Sequence, residues 1–120
     1  MQVIKNLSEE DAIAAAEMIL SLQPRPDGVF ITNDFSAAIC MRVFKEHGLK
    51  IPEDIAIVGF NNDAISKIVE PQITTINYPG IDIGEIAARQ LISYLDDQVD
   101  QQQTNTIIAH SELIVRGSST

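Results

Sequence analysis

The pattern of apolar and polar residues first predicts a helix near the amino terminus. Ser8 and the three acidic residues that follow it place a capping hydroxyl and negative charge where the amides of a helix start are unpaired. Apolar residues then recur at helical spacing from Ile13. Residues 23–28 contain two prolines and a glycine, which favour an extended turn, so the helix should end before Pro24.

Two continuous apolar runs further along predict strands of a parallel sheet. Val29–Ile31 and Ile55–Phe60 are apolar throughout, which is typical of strands buried on both faces. Between them the spacing predicts a helix from Asp34 to His47, with Gly48 as its left-handed cap. Parallel neighbours need such a crossover, so the order of elements predicts a right-handed α/β layer sandwich.

The last third of the chain predicts three further elements. Thr74–Ile76 should be extended, a helix should run from Gly80 to about Asp97, and Glu112–Arg116 should form a last strand. Residues 96–105 are almost wholly polar and predict a solvated loop.

Composition narrows the class of protein. The 120 residues are 45% hydrophobic, which suits one domain. Seventeen acidic against eight basic residues give a net charge of -9, so the chain alone should not bind nucleic acid. No apolar stretch approaches the roughly 18 residues that cross a bilayer, and the single Cys40 excludes an internal disulfide, so a cytoplasmic protein is expected.

Polar residues follow the predicted strands, at the edge where open α/β sheets bind ligands. They are Thr32-Asn33-Asp34, Asn61-Asn62-Asp63 and Asn77-Tyr78. Amides donate and accept hydrogen bonds, carboxylates accept from two hydroxyls, and an aromatic ring covers an apolar sugar face. This set favours a neutral polyhydroxylated ligand.

Each of these residues also has a structural interpretation. Asp34 is either a helix cap or structural anchor, or a ligand contact. Asn33 and Asn61 lie nearer the strand ends and are the ligand candidates, whereas Asn62 and Asp63 fit a turn. Tyr78, beside a proline, is either a ligand contact or hinge packing.

No catalytic constellation is visible, so an enzyme is not predicted. Cys40 lies in a helical apolar pattern, where a cysteine is usually a small buried hydrophobe. His47 and His110 have no partner at metal-ligand spacing, and no glycine-rich phosphate loop occurs. Neither a metal nor a cofactor is expected.

Four ordered blocks carry a resemblance to a known family. They read "RPDGVFITND", "HGLKIPEDIAIVGFNND", "PQITTINYPG" and "ELIVRGSS". Together they resemble the carboxyl-terminal part of a lactose-repressor (LacI/GalR) family transcription regulator. The resemblance implies that residues 1–120 form an incomplete three-layer parallel-sheet lobe of a type I periplasmic-binding-protein-like core. Residues 80–105 would cross toward a first lobe, which this chain lacks together with the DNA-binding head.

The same resemblance implies where an effector binds. Asn33 and Asn61 match the family's effector contacts, and Asn61 stands where relatives usually have an aspartate. Asp34 belongs to the same N-D pair. Leu7 matches a position that often carries an aromatic residue stacked on the ligand, and Tyr78 matches a polar position in the last hinge segment. Gln2–Lys5 would begin the first strand of the lobe.

The resemblance also implies a homodimer, formed by the helix after the N-D pair and by the segment after G-F-N-N, where a loop is expected from Ala64 to Val69. The candidate contacts are Ala38, Arg42, Ile65, Ile68 and Val69, with burial inside the lobe as the alternative. On the helix from Gly80, four apolar residues form a stripe that should pack against the sheet of this chain or against a second chain. They are Ile83, Ala87, Leu91 and Leu95.

The function implied is therefore that of an effector-sensing and dimerising lobe. A small molecule, expected to be a sugar or sugar derivative, would control operator binding by the head that is missing here. The alternative is a lobe of a periplasmic sugar-binding protein used in transport. An enzyme would need a nucleophile and a base clustered at the strand ends.

Overall fold

The computed structural model describes residues 7–96 and 106–120. The predicted strand start at Gln2–Lys5 and most of the polar loop lie outside these ranges. The chain divides into two compact units, one running to Asn77 and resuming at Glu112–Thr120, the other spanning Tyr78–Ser111. The described elements are α1 (Glu9–Ser21), β1 (Gly28–Phe30), α2 (Asp34–Glu46), β2 (Ala56–Phe60), α3 (Ile65–Ile68), β3 (Thr74–Asn77), α4 (Gly80–Leu95) and β4 (Glu112–Ile114).

The first helix begins where the sequence predicts. Ser8 is the N-cap, and its Oγ accepts a hydrogen bond from the backbone amide of Asp11 at 3.2 Å. The helix ends at Ser21, ahead of Pro24. Local chemistry therefore sets both ends of α1.

The sheet has the order β1-β2-β3-β4 among the described strands. β1, β2 and β3 run parallel, which confirms the α/β prediction. β4 runs antiparallel to β3, so the prediction of a wholly parallel sheet is wrong at this strand. Asn77, the last residue of β3, pairs with Glu112, the first of β4. The chain therefore re-enters the sheet beside the residue at which it left it, and β4 runs antiparallel to β3 from there.

Two local predictions are wrong. β1 is not buried on both faces, because Phe30 is 55% exposed and β1 pairs only with β2 within the described sheet. The segment from Ala64 to Val69 was expected to be a loop, but Ile65–Ile68 forms the short helix α3. Its Ser66 is buried and its amide bonds back to the carbonyl of Asp63 at 3.0 Å.

The core of the first unit lies between α1, α2 and the strands. Phe44, Ile55, Ile57 and Ile73 are fully buried within it. Small side chains lie where α1 packs against α2. There the thiol of Cys40 donates to the carbonyl oxygen of Ala12 at 3.5 Å. The prediction that Cys40 is a buried hydrophobe is confirmed, since it is 1% exposed.

The helix α4 has no buried residue. Every member of the predicted stripe is exposed, with Leu95 at 74%. Coverage of this stripe, by the sheet of this chain or by a second chain, stays a prediction. No helix in the described part of the chain is long and apolar enough to span a membrane.

Burial should make the thiol of Cys40 unreactive toward thiol reagents in the folded chain. Desolvation raises the pKa of its thiol to about 11, so the reactive thiolate is scarce at pH 8. We expect a thiol-reactive disulfide reagent to modify the folded chain slowly and the urea-unfolded chain completely, as measured by absorbance. Fast labelling of the folded chain at pH 8 would contradict the packing of α1 on α2.

Candidate functional site

The two asparagines predicted to bind ligand lie on one edge of the sheet. β1 and β2 run parallel with Phe30 opposite Val58, and the amide of Ile31 donates to the carbonyl of Val58 at 2.8 Å. Because the strands stay paired to this point, Asn33 and Asn61 both follow the carboxyl ends of neighbouring strands. We call this edge, comprising residues 32–34, 61–63 and 75–77, the rim.

Asn33, not Asp34, caps helix α2. Asn33 has an extended backbone, and its Oδ1 accepts from the amides of Phe35 at 2.9 Å and Ser36 at 3.2 Å. The predicted cap at Asp34 is wrong because Asp34 is already the first helical residue. No hydrogen bond from the Asn33 Nδ2 is present within the described ranges, so this group keeps its donor capacity.

Asp34 is the structural anchor of the rim. It is fully buried, which favours the anchor over the other interpretation of this residue, a direct ligand contact, and that contact stays a prediction. Its Oδ1 accepts from the hydroxyl of Thr75 at 2.7 Å, and its Oδ2 accepts from the amide of Asp63 at 2.8 Å. One carboxyl group thereby joins the ends of β1, β2 and β3, and these bonds offset the cost of burying it.

The glycine of the G-F-N-N block is required by that carboxyl group. A Cβ at Gly59 would lie 2.1 Å from the Oδ1 of Asp34 and 3.2 Å from a methyl group of Ile73. Only a residue without a side chain lets the carboxyl group of Asp34 lie over β2.

The rim turns through an uncommon backbone conformation after β2. Asn61 has a φ of 107° and Asn62 a φ of 56°. Asparagine tolerates the left-handed region better than most residues, but such positions still cost on the order of 1 kcal/mol or more. The turn predicted at Asn62 is confirmed, and it begins one residue earlier, at Asn61.

Several hydrogen bonds hold this turn. The amide of Asn61 donates to the carbonyl of Ile76 at 2.9 Å, and the Nδ2 of Asn62 donates to the Oδ1 of Asn77 at 3.3 Å. Arg116, which follows β4, donates from Nη2 to the Oδ1 of Asn62 at 2.8 Å. The side chain of Asn62 is therefore used internally, whereas that of Asn61 makes no hydrogen bond within the described part of the chain.

The other predicted ligand residues are exposed, and their roles stay predictions. Leu7 lies just before the α1 cap and is 67% exposed. Tyr78 opens the second unit, where its ring lies close to Gly80. Phe35, in the first turn of α2 and two positions after Asn33, is a half-exposed aromatic residue beside the rim.

A surface groove of about 450 Å³ lies between α2 and the segment after α3. Three of the five predicted dimer residues line it, namely Ala38, Arg42 and Val69. Ile68 is 75% exposed, whereas Ile65 is partly buried. Among the residues that the structure describes, no cluster of three or more His, Cys, Asp or Glu side chains could hold a metal ion.

Comparison with known proteins places the chain in a family. Residues 2–119 match the periplasmic binding protein-like domain. The chain is 33% identical over 110 residues to the lactose operon repressor of Rhizobium radiobacter, an alignment that covers 92% of this chain and 95% of that sequence. This chain belongs to the LacI family of transcription regulators. It spans about a third of the length of the curated relatives that match it first.

Solved LacI-family structures share the fold. The transcriptional regulator CelR, solved as a complex with cellobiose, aligns with a TM-score of 0.87 and 26% identity over 95% of this chain and 34% of that one. A LacI-family regulator from Lactobacillus casei with bound sucrose aligns with a TM-score of 0.75 and 26% identity, over 93% of this chain and 41% of that one. The sequence-based assignment to a periplasmic-binding-protein-like lobe is therefore confirmed.

The rim geometry predicts a strong effect of replacing Gly59 with alanine. The new methyl group would collide with Asp34, so we expect Gly59→Ala to lower the free energy of unfolding by about 2–3 kcal/mol in urea denaturation. Gly28→Ala, also in a strand, meets nothing closer than 3.9 Å and should change stability by less than about 1 kcal/mol. Equal effects of the two substitutions would contradict the placement of Asp34.

Proposed function

We propose that this chain is the effector-binding and dimerising lobe of a LacI-type regulator, and that its effector is a sugar or sugar derivative. The observation that carries the proposal is the shared rim, where Asn33 and Asn61 follow the ends of adjacent parallel strands. Both side chains keep hydrogen-bonding groups that the described chain does not use. The CelR–cellobiose and sucrose-bound neighbours support a carbohydrate ligand.

The polarity of the rim supports a neutral ligand. Asp34 is fully buried, and the guanidinium of Arg116 is bonded to groups of the chain itself. The unused groups of Asn33 and Asn61 are amides, which bind hydroxyls by donating and accepting, and the exposed carboxylate of Asp63 in the same rim can accept from hydroxyls. Asn61 in place of the usual aspartate would bind a neutral sugar with fewer charge-assisted bonds.

Regulation would act through the arrangement of two lobes. A ligand shifts such an equilibrium only by binding one arrangement better than the other. In the proposed longer protein, closure on the effector would change the spacing of the DNA-binding heads. This chain carries a net charge of -9, so operator contacts would come from another segment. Its matched relatives are regulators, which favours cytoplasmic regulation over periplasmic transport.

Dimerisation is the second part of the proposal. Ala38, Arg42 and Val69 line the groove beside α2, and the neighbouring Ile68 is largely exposed. An exposed isoleucine next to an open groove suits burial by a second subunit. Val69 also packs against the core, so the alternative of burial within the lobe holds for part of its surface.

A titration followed by ¹⁵N NMR tests the ligand proposal. Cellobiose or glucose should shift the amide signals of Asn33 and Asn61 in a saturable way and leave Ser21, at the end of α1, unchanged. In an Asn61→Asp variant the carboxylate accepts two hydroxyls, so the sugar should bind roughly three- to tenfold more tightly. The absence of any shift at the rim at the highest soluble sugar concentration would contradict a sugar effector.

Sedimentation tests the dimer. We expect the chain to sediment as a dimer and Ile68→Asp to sediment as a monomer, because a charge on this face would be buried without a partner. Leu22→Asp introduces the same charge at an apolar residue outside the groove, 42% exposed, and should leave the dimer intact. A dimer that survives Ile68→Asp would exclude this surface.

A further inference from the structure

The guanidinium of Arg116 joins three separate parts of the first unit. Its Nη1 donates to the carbonyl of Ile73 at 2.8 Å and to the Oγ of Ser66 at 3.1 Å, and its Nη2 donates to the Oδ1 of Asn62 at 2.8 Å. No carboxylate of the described residues pairs with it. The hydrogen-bond partners of Arg116 are all neutral, so its guanidinium serves here as a planar group of donors in fixed directions. A lysine ammonium does not offer this geometry.

The backbone that carries this side chain is itself fixed. The amide of Arg116 donates to the Oγ1 of Thr74 at 2.7 Å, and the same hydroxyl donates to the carbonyl of Arg116 at 2.9 Å. Two residues later the buried Ser118 accepts from the amide of Thr74 at 2.9 Å. The backbone of Arg116 is therefore held against Thr74 of β3.

Its partner Asn62 lies in the most unusual backbone of the rim. Asn61 and Asn62 both have positive φ, and such a conformation persists only where the surroundings hold it. The end of the turn is held by Asp34, whose Oδ2 accepts from the amide of Asp63 at 2.8 Å. The other bonds of Asn62 itself are neutral and long, at 3.3 Å from its amide to Thr75 and from its Nδ2 to Asn77. The bond from Arg116 is shorter and charge-assisted, and such bonds are about twice as strong as neutral ones.

We infer that Arg116 is a positioning residue of the effector site, which fixes Asn62 and through it the backbone of Asn61. The inference rests on the proposed function, because it assigns a determinant of affinity to the same rim. Arg116 does not touch the effector. It acts by keeping the Asn61 side chain in place before the ligand arrives, which lowers the entropy lost on binding.

The test compares three variants of the chain by NMR and thermal unfolding. Arg116→Met keeps the aliphatic stem and removes all donors, Arg116→Lys keeps the charge without the fork, and Arg89→Met is a matched control at an exposed arginine of α4. The three-bond HN–Hα couplings and the Cα shifts of Asn61 and Asn62 report φ directly. A role limited to stability would lower the unfolding midpoint without changing these values in the folded state.

We expect Arg116→Met to move the Asn61 and Asn62 signals toward those of negative φ and to leave Asn33 unchanged. Arg116→Lys should restore them in part, and Arg89→Met should match the unsubstituted chain. A folded Arg116→Met variant with unchanged couplings overturns the inference. If that variant does not fold, Asn62→Gly removes the acceptor of the Arg116 bond together with the Nδ2 that donates to Asn77, and glycine adopts a φ of 56° without strain. Unchanged signals of Asn61 in that variant also overturn it.

Cellobiose is the probe for affinity. Where it binds the unsubstituted chain, Arg116→Met should weaken binding about tenfold and Arg89→Met by less than about twofold. Equal affinities of the Arg116→Met variant and the unsubstituted chain would overturn the inference. If cellobiose does not bind the unsubstituted chain, that result counts against the sugar proposal alone, and the backbone couplings still decide the role of Arg116.

Discussion

The rim depends on one buried carboxyl group. Asp34 begins α2 directly after β1, and it accepts from Thr75 in β3 and from the amide of Asp63 after β2. A buried carboxyl group is tolerated only with such partners, so the three strand ends must keep their relative positions for the chain to fold. The carboxyl group in turn requires Gly59 beneath it. The backbone between Gly59 and Asp63 is thus fixed at both ends, and Asn61 and Asn62, with their positive φ values, lie within that short path.

The neighbouring asparagines differ in how many of their hydrogen-bonding groups the structure uses. Asn33 uses its Oδ1 to cap α2, which leaves its Nδ2 as a donor. Asn62 uses both ends of its amide, on Arg116 and Asn77. The side chain of Asn61 makes no hydrogen bond within the described part of the chain, so both ends of its amide are open to the proposed ligand. Neutral donors and acceptors on a stiff backbone are the chemistry that recognises hydroxyl groups, and rigidity reduces what binding must order.

Local patterns predicted the elements better than the network that joins them. The Ser8 cap, the end of α1 before Pro24 and the left-handed Gly48 after α2 depend on residues close in sequence, and each was found. Asn33 and Asp34 could both cap a helix, and the choice was settled by Thr75, 41 positions away. Arg116 and Asn62 are separated by 54 positions, so no local pattern could connect them. The short α3 has no side-chain cap and left no signal at its start.

The position of Asn77 links the rim to the point where the chain leaves the first unit. Asn77 ends β3, accepts from the Nδ2 of Asn62, and is followed at once by Tyr78 of the second unit. In the proposed two-lobed protein, any change in the path at Tyr78 would act on Asn77 and therefore on the turn that presents Asn61. The bond is long at 3.3 Å and joins neutral groups, so it can be exchanged at little cost, whereas the charged bond from Arg116 holds the other end of the Asn62 amide. In that proposed protein the bonds from Arg116 and to Asp34 would keep the turn of Asn61 in place, while the bond between Asn62 and Asn77 could differ between two lobe arrangements. An effector favours one arrangement only by binding it better than the other.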